Sequence, residues 1–190
     1  MTIDISALAG GSILSGAPSG RALYTKLVEL LPAEPAAPEP LYLDFCAVAV
    51  ATASFLRESV LAFRTFVRGR RSNFYPVLAN ATNDVIDELV ELVHPRGDVL
   101  MTCRLADDGH VLRWSYVGKL DPMQQLTFDL VTRLGETSAS QLMEIDKGQV
   151  KATAWNNRLA SLSTLGLICE QSHGRTKIYK AMFSGGGNGC

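Results

Sequence analysis

At Lys119-Leu120-Asp121-Pro122 the hydrophobic pattern of this chain changes its period. Before that point, short apolar runs alternate with segments of helical spacing. After it come three helical patterns and then two short strand-like runs. A chain that switches in this way builds two cores of different kinds. Upstream of residue 95 the order is strand, helix, strand, helix. That order implies a parallel sheet, because parallel neighbours need a crossover between them, and the crossover is usually a helix. The 190 residues suffice for two small domains.

The spacing predicts an apolar alternation over 3–8, a Gly-rich stretch over 10–20 and a helix over 21–31. That helix has Leu23, Leu27, Leu30 and Leu31 on one face and Ser19 as its N-cap. The prolines from Pro32 to Pro40 end it and read as a stiff surface connection. A strand over 41–45 follows, then a small apolar interval and a helix over 54–67 carrying Phe55, Val60, Phe63 and Val67. Pro76 places the next strand, over 74–80, at its start or at a sheet edge. A helix over 84–93 is capped by Thr82 or Asn83 and stopped by His94-Pro95-Arg96-Gly97. Runs over 99–105 and 111–117 flank Asp108-Gly109, a strong hairpin signal. This hairpin, with Trp114 and Tyr116, is expected to join domains or subunits.

Composition excludes several classes. Hydrophobic residues make up 47% and charged residues 19%, so the chain is not disordered throughout. Eighteen Lys and Arg against nineteen Asp and Glu leave a net charge of −1, which argues against a uniformly basic nucleic-acid coater. No apolar run approaches the roughly 18–20 residues of a membrane span, and Met1-Thr2-Ile3-Asp4 is no cationic leader. Cys46, Cys103, Cys169 and Cys190 form no C-x-x-C pair, and only three histidines are present, so no metal site is readable. The expected compartment is the cytoplasm. The chain lacks the short motifs of P-loops, nucleophile elbows and zinc proteases, and no cofactor fingerprint is present. His94, His110 and Asp107-Asp108 have no visible catalytic partner. The chain therefore reads as a non-enzyme.

After Pro122, helices are predicted over 123–134, 138–145 and 153–165, then strands over 167–170 and 177–181 around Ser172-His173-Gly174-Arg175. The third helix places Trp155, Leu159, Leu162 and Gly166 on one face, so Trp155 reads as core. Thr153, Asn157, Ser161 and Thr164 lie opposite, with Asn156 at the edge. Short polar side chains of this kind suit a major groove, where Asn pairs with adenine and Thr offers a methyl to thymine. Over 150–183, Lys151, Arg158, Arg175, Lys177 and Lys180 face one acid, Glu170. The run from Asn157 to Ile168, with Gly174-Arg175 and Tyr179, resembles bacterial winged helix-turn-helix regulators of the MarR and ArsR kind. The resemblance implies double-stranded DNA as partner. Thr153, Asn156 and Asn157 would read bases, Lys151 and Arg158 would grip phosphates, and His173, Arg175 and Lys177 would serve the wing.

Leu43-Asp44-Phe45-Cys46-Ala47-Val48, followed by Ser54-Phe55-Leu56-Arg57-Glu58, resembles the STAS-like family, relatives of the anti-sigma-factor antagonists. Ser19-Gly20-Arg21 and Val77-Leu78-Ala79-Asn80 extend the similarity. The resemblance implies a sensing or interaction module with a protein partner, and a phosphorylatable serine at Ser54. Thr52-Ala53-Ser54-Phe55 departs from the phosphorylated pattern Asp-Ser-Ser-Gly, and from the residues Ser54 reads rather as a helix cap. Arg64, Arg68, Arg70 and Arg71 form the densest positive cluster. They read either as an anion-binding extension of a DNA footprint or as a solvated helix end, and Asp84, Asp87, Glu88 and Glu91 offer a complement across a dimer.

The expected fold class is thus α/β plus α+β. A STAS-like sheet with flanking helices occupies 1–97, a linking hairpin 98–120, a winged helix-turn-helix 121–183 and a flexible tail 184–190. The expected function is transcriptional regulation by a homodimer, most simply repression. The alternative is a protein–protein switch that uses the winged helix as an adaptor.

Overall fold

The computed structural model describes residues 1–174 and 176–183 and divides into two compact units, one over Met1–Lys119 and one beginning at Leu120. In the first unit, β1 (Thr2–Asp4), β3 (Glu39–Asp44), β5 (Phe74–Ala79), β6 (Val99–Leu105) and β7 (Val111–Gly118) form one sheet in that order. All neighbours are parallel except β6 and β7, which form an antiparallel hairpin. The expected linking hairpin is therefore not a linker but the last two strands of this sheet. Its register, Leu100 opposite Val117 and Thr102 opposite Ser115, extends the same ladder.

The crossovers are α1 (Ile5–Ala9) and α2 (Ala17–Glu29), then α3 (Ala53–Leu56), a π turn (Arg57–Leu61) and α4 (Ala62–Gly69), then α5 (Asn83–Val93). Each parallel strand is laid down beyond the last in the same direction. Right-handed crossovers then place every helix on the same side. Accordingly Ile3, Leu43, Leu78, Leu100 and Val117 share one buried cluster with Leu27 of α2, Phe63 of α4 and Leu89 of α5. A small parallel pair, β2 (Ile13–Leu14) with β4 (Val50–Ala51), sits apart from the main sheet.

Local chemistry explains where the observed elements differ from expectation. The apolar alternation over 3–8 breaks after Asp4, whose carboxylate accepts the Ala7 N–H at 3.0 Å and starts α1. The first long helix begins at Ala17, with Gly16 rather than Ser19 as N-cap and Pro18 in the first turn, where its fixed φ is already helical. Pro76 lies inside a fully buried central strand, not at an edge. It is tolerated because β5 pairs with β3 along its whole length but with β6 only at Leu78 and Ala79. The missing N–H falls where pairing to β6 has not begun.

In the second unit, α6 (Pro122–Leu134), β8 (Glu136–Thr137), α7 (Ala139–Ile145) and α8 (Ala152–Leu165) precede β9 (Ile168–His173) and β10 (Thr176–Ala181). The strands form one antiparallel sheet in the order β8-β10-β9. Asp121 and Ser138 each build a capping box, with Gln124 and Gln141 respectively. Strand β8 was not anticipated, since two residues carry no alternation to read. Among the described residues no helix is long and apolar enough to cross a membrane.

Two predictions follow from this packing. A Cβ on Gly20 would meet the Phe55 carbonyl oxygen at 2.6 Å, where α2 crosses the start of α3. Gly20→Ala is expected to destabilise the first unit by about 1–2 kcal/mol in urea melts, the clash outweighing the gain of about 1 kcal/mol in helix propensity. Burial, with a smaller contribution from the Asp44 charge, pushes the Cys103 thiol up to about 12. Cys103 therefore stays protonated at neutral pH. Peptide mapping after brief iodoacetamide treatment is expected to show alkylation of exposed Cys46 but not of Cys103.

Candidate nucleic-acid interface

Helix α8 turns its leucine face inward. Trp155, Leu159 and Leu162 are buried, and Gly166 closes the helix in the left-handed region at φ 79. Gly166 takes that conformation without the steric cost a side chain would add. The helix packs on α6, α7 and β9. Its opposite face presents Thr153, Asn157 and Thr164 to solvent. The Thr164 hydroxyl donates to the Ala160 carbonyl at 2.9 Å, while the side chains of Thr153 and Asn157 make no hydrogen bond within the described residues. Ser161 is drawn partly inward and accepts from Gln124 Nε2 at 3.3 Å. No acid lies in the helix, and Lys151 stands exposed at its N-cap.

Other expected site residues are engaged within the protein. Asn156 is half-buried, and its Oδ1 accepts from the Tyr179 hydroxyl at 3.4 Å. That bond ties α8 to β10, which suits a positioning role better than base reading. The Arg158 guanidinium lies 4.9 Å from the centre of the Trp155 ring, a cation–π contact that leaves its N–H groups available. Lys177 pairs with Glu170 at 2.6 Å, and Lys180 with Glu136 at 2.8 Å. These two strand cations are therefore already neutralised. Arg175, the side chain of His173 and the tail 184–190 lie outside the described residues.

In the first unit the arginine cluster is not a surface patch. Arg64 and Arg68 are each 7% exposed. Arg64 Nη1 pairs with Asp98 at 2.7 Å and its Nη2 donates to the Val99 carbonyl at 2.9 Å. Arg68 Nη1 donates to the carbonyls of Ser72 and Phe74 at 2.6 and 3.1 Å, and its guanidinium lies 3.8 Å from the centre of the Tyr75 ring. Only Arg70 and Arg71 are exposed, and Arg70 sits over Phe66 at 5.1 Å. Spacing had placed Arg64 and Arg68 on one helical stripe. It could not show that the stripe faces the sheet.

Ser54 is not the helix cap. Thr52 occupies the N-cap, Ser54 follows in the first turn, and their hydroxyls share a hydrogen bond at 3.3 Å. The Ala53 N–H is taken by the Glu88 carboxylate of α5 at 2.7 Å. Glu88 is thus spent inside the protomer, which removes it from the acidic complement expected across a dimer. No sequence signal links Ala53 to Glu88, since thirty-five residues separate them. Asp44 accepts from the Cys46 N–H and from Asn80 Nδ2, at 3.0 and 2.9 Å, as a strand-end acid does. Among the described residues no cluster of His, Cys, Asp and Glu could hold a metal ion.

Arg64→Ala removes the ion-pair partner of Asp98, whose carboxylate keeps only the Val99 N–H, and the Arg64 donor to the Val99 carbonyl. It is expected to cost about 2–4 kcal/mol in chemical denaturation, whereas Arg71→Ala stays within about 0.5 kcal/mol.

No protein-family model matches this chain, and no curated protein or solved structure matches it either.

Proposed function

We propose that this chain is a sequence-specific DNA-binding transcriptional regulator, most simply a repressor, acting as a homodimer in the cytoplasm. The outer face of α8 carries the reading. It is a helix anchored by Trp155, Leu159 and Leu162 that offers unengaged Thr153 and Asn157, with Lys151 at its start and no acid along it. The order of helices and strands around it, with a hairpin following directly, supports a winged-helix reading of the second unit. In this proposal Thr153 and Asn157 read base edges, while Lys151 and Arg158 bind phosphates. Asn156 positions the helix through Tyr179. Arg175 and His173 would serve the wing, and Lys177 must leave Glu170 to reach a phosphate. The first unit would be the STAS-like sensing or interaction module. The reading requires no cofactor and no catalytic step.

A second reading is favoured by one observation. Ser54 stands in the first turn of α3 beside the N–H that Glu88 occupies. A phosphate there, carrying about −1.5 to −2 charges, would repel that carboxylate and alter the α3–α5 contact. A protein–protein switch of the anti-sigma-antagonist kind would work through such a change. Loss of a partner complex on Ser54→Glu, with DNA binding absent, would favour it.

Fluorescence anisotropy on DNA from the protein's own upstream region tests the first reading, with salt and scrambled competitor as variables. Specific binding is expected to weaken by about 1–3 kcal/mol in Asn157→Ala. Lys151→Ala is expected to reduce the log–log salt slope by about 0.9 on any sequence. Binding that never exceeds the scrambled control, across a genomic fragment library, would falsify the proposal.

A further inference from the structure

Arg104 and Arg113 stand directly opposite each other on the β6–β7 ladder. Residues so placed share one sheet face, with Cβ atoms about 4.5–5.5 Å apart, and like charges there oppose pairing. Among the described residues neither guanidinium has a carboxylate within ion-pair distance. Asp108, in the adjoining turn, is taken by His110.

The two arginines differ in how they are held. Arg104 is half-buried, and its Nη1 donates to the Asn80 carbonyl at 3.3 Å. Asn80, at φ 57, is itself braced, since its Oδ1 accepts the Leu105 N–H and its Nδ2 donates to Asp44, both at 2.9 Å. Arg113 is exposed, and its side chain makes no hydrogen bond within the described residues. The ladder register slips between Arg104 and Leu105, which leaves Leu112 out of the pairing and 63% exposed. Bulges of this kind re-aim side chains and recur beside functional sites.

We propose that Arg104 and Arg113 form a phosphate-binding site in which one phosphate bridges both guanidinium groups. Each planar fork donates along an edge, and a tetrahedral phosphate presents oxygens to both forks at once. The bound charge also removes the repulsion that the ladder otherwise carries. The phosphate comes either from a DNA backbone or from a free phosphorylated molecule. The site itself does not depend on the DNA-binding reading, although one arm of its test uses DNA.

Inorganic phosphate is titrated into the full chain at constant ionic strength, with the arginine Nε–Hε signals followed by NMR. A saturable shift of Arg104 and Arg113 is expected, weakened at least tenfold in Arg113→Gln. Because that substitution relieves a like-charge contact, the variant is expected to melt no lower than the parent, which separates lost binding from misfolding. In parallel, the salt slope of DNA binding is compared for the parent and Arg113→Gln. A slope lower by about 0.9 assigns the phosphate to DNA. An unchanged slope with a saturable phosphate response assigns it to a free phosphorylated molecule. If the chain binds no DNA, the phosphate titration decides alone. No saturable response together with no change of slope overturns the site.

Discussion

Two buried guanidinium groups tie the first unit together. Arg64 and Arg68 project from α4 to the main-chain carbonyls where adjacent strands begin, Val99 at the head of β6 and Phe74 at the head of β5. Burying a guanidinium is costly unless most of its donors are met and its charge is balanced or dispersed. Asp98 balances Arg64, and the face of Tyr75 receives Arg68. Satisfying these groups fixes the height of α4 over the sheet. The helices beside it share the same layer, closely enough that a Cβ on Gly20 of α2 would meet the Phe55 carbonyl oxygen of α3.

Using these arginines inside changes the electrostatics outside. Half of the densest positive run, Arg64 and Arg68, is withdrawn from the surface, and the strand cations Lys177 and Lys180 are matched by Glu170 and Glu136. The exposed cations without an ion pair among the described residues are scattered over both units, Arg70, Arg71, Arg96, Lys119, Arg133 and Lys147 among them. Lys151 begins α8, and Arg104 and Arg113 face each other on the ladder. Phosphate recognition in this molecule, if carried by these groups, rests on a few placed cations rather than on a basic field. A net charge of −1 is compatible with that arrangement.

In the second unit one helix divides its residues between core and surface. Trp155, Leu159 and Leu162 bury themselves, while Thr153 and Asn157 stay unengaged. Asn156 and Arg158 lie between these faces and are both recruited, one by Tyr179 and the other by the Trp155 ring. Residues at the border of a helical face are where periodicity says least. A rotation of some 100° per residue leaves them equally close to either side.

Much of the fold was legible because it is locally encoded. The change of pattern near Pro122, the helix spacing, the Asp108-Gly109 turn and the cap at Thr82 act within a few residues of where they are read. Strand-to-strand order, the hairpin's place in the sheet, the pairing of Glu88 with Ala53 and the opposition of Arg104 and Arg113 were settled only in the folded chain. Each joins parts of the chain whose proximity no local pattern encodes. The sequence by itself determined which residues could carry charge, cap a helix or read a base. Tertiary structure decided which of them remain available, because a polar group buried by packing must find its partner inside the protein before it can meet one outside.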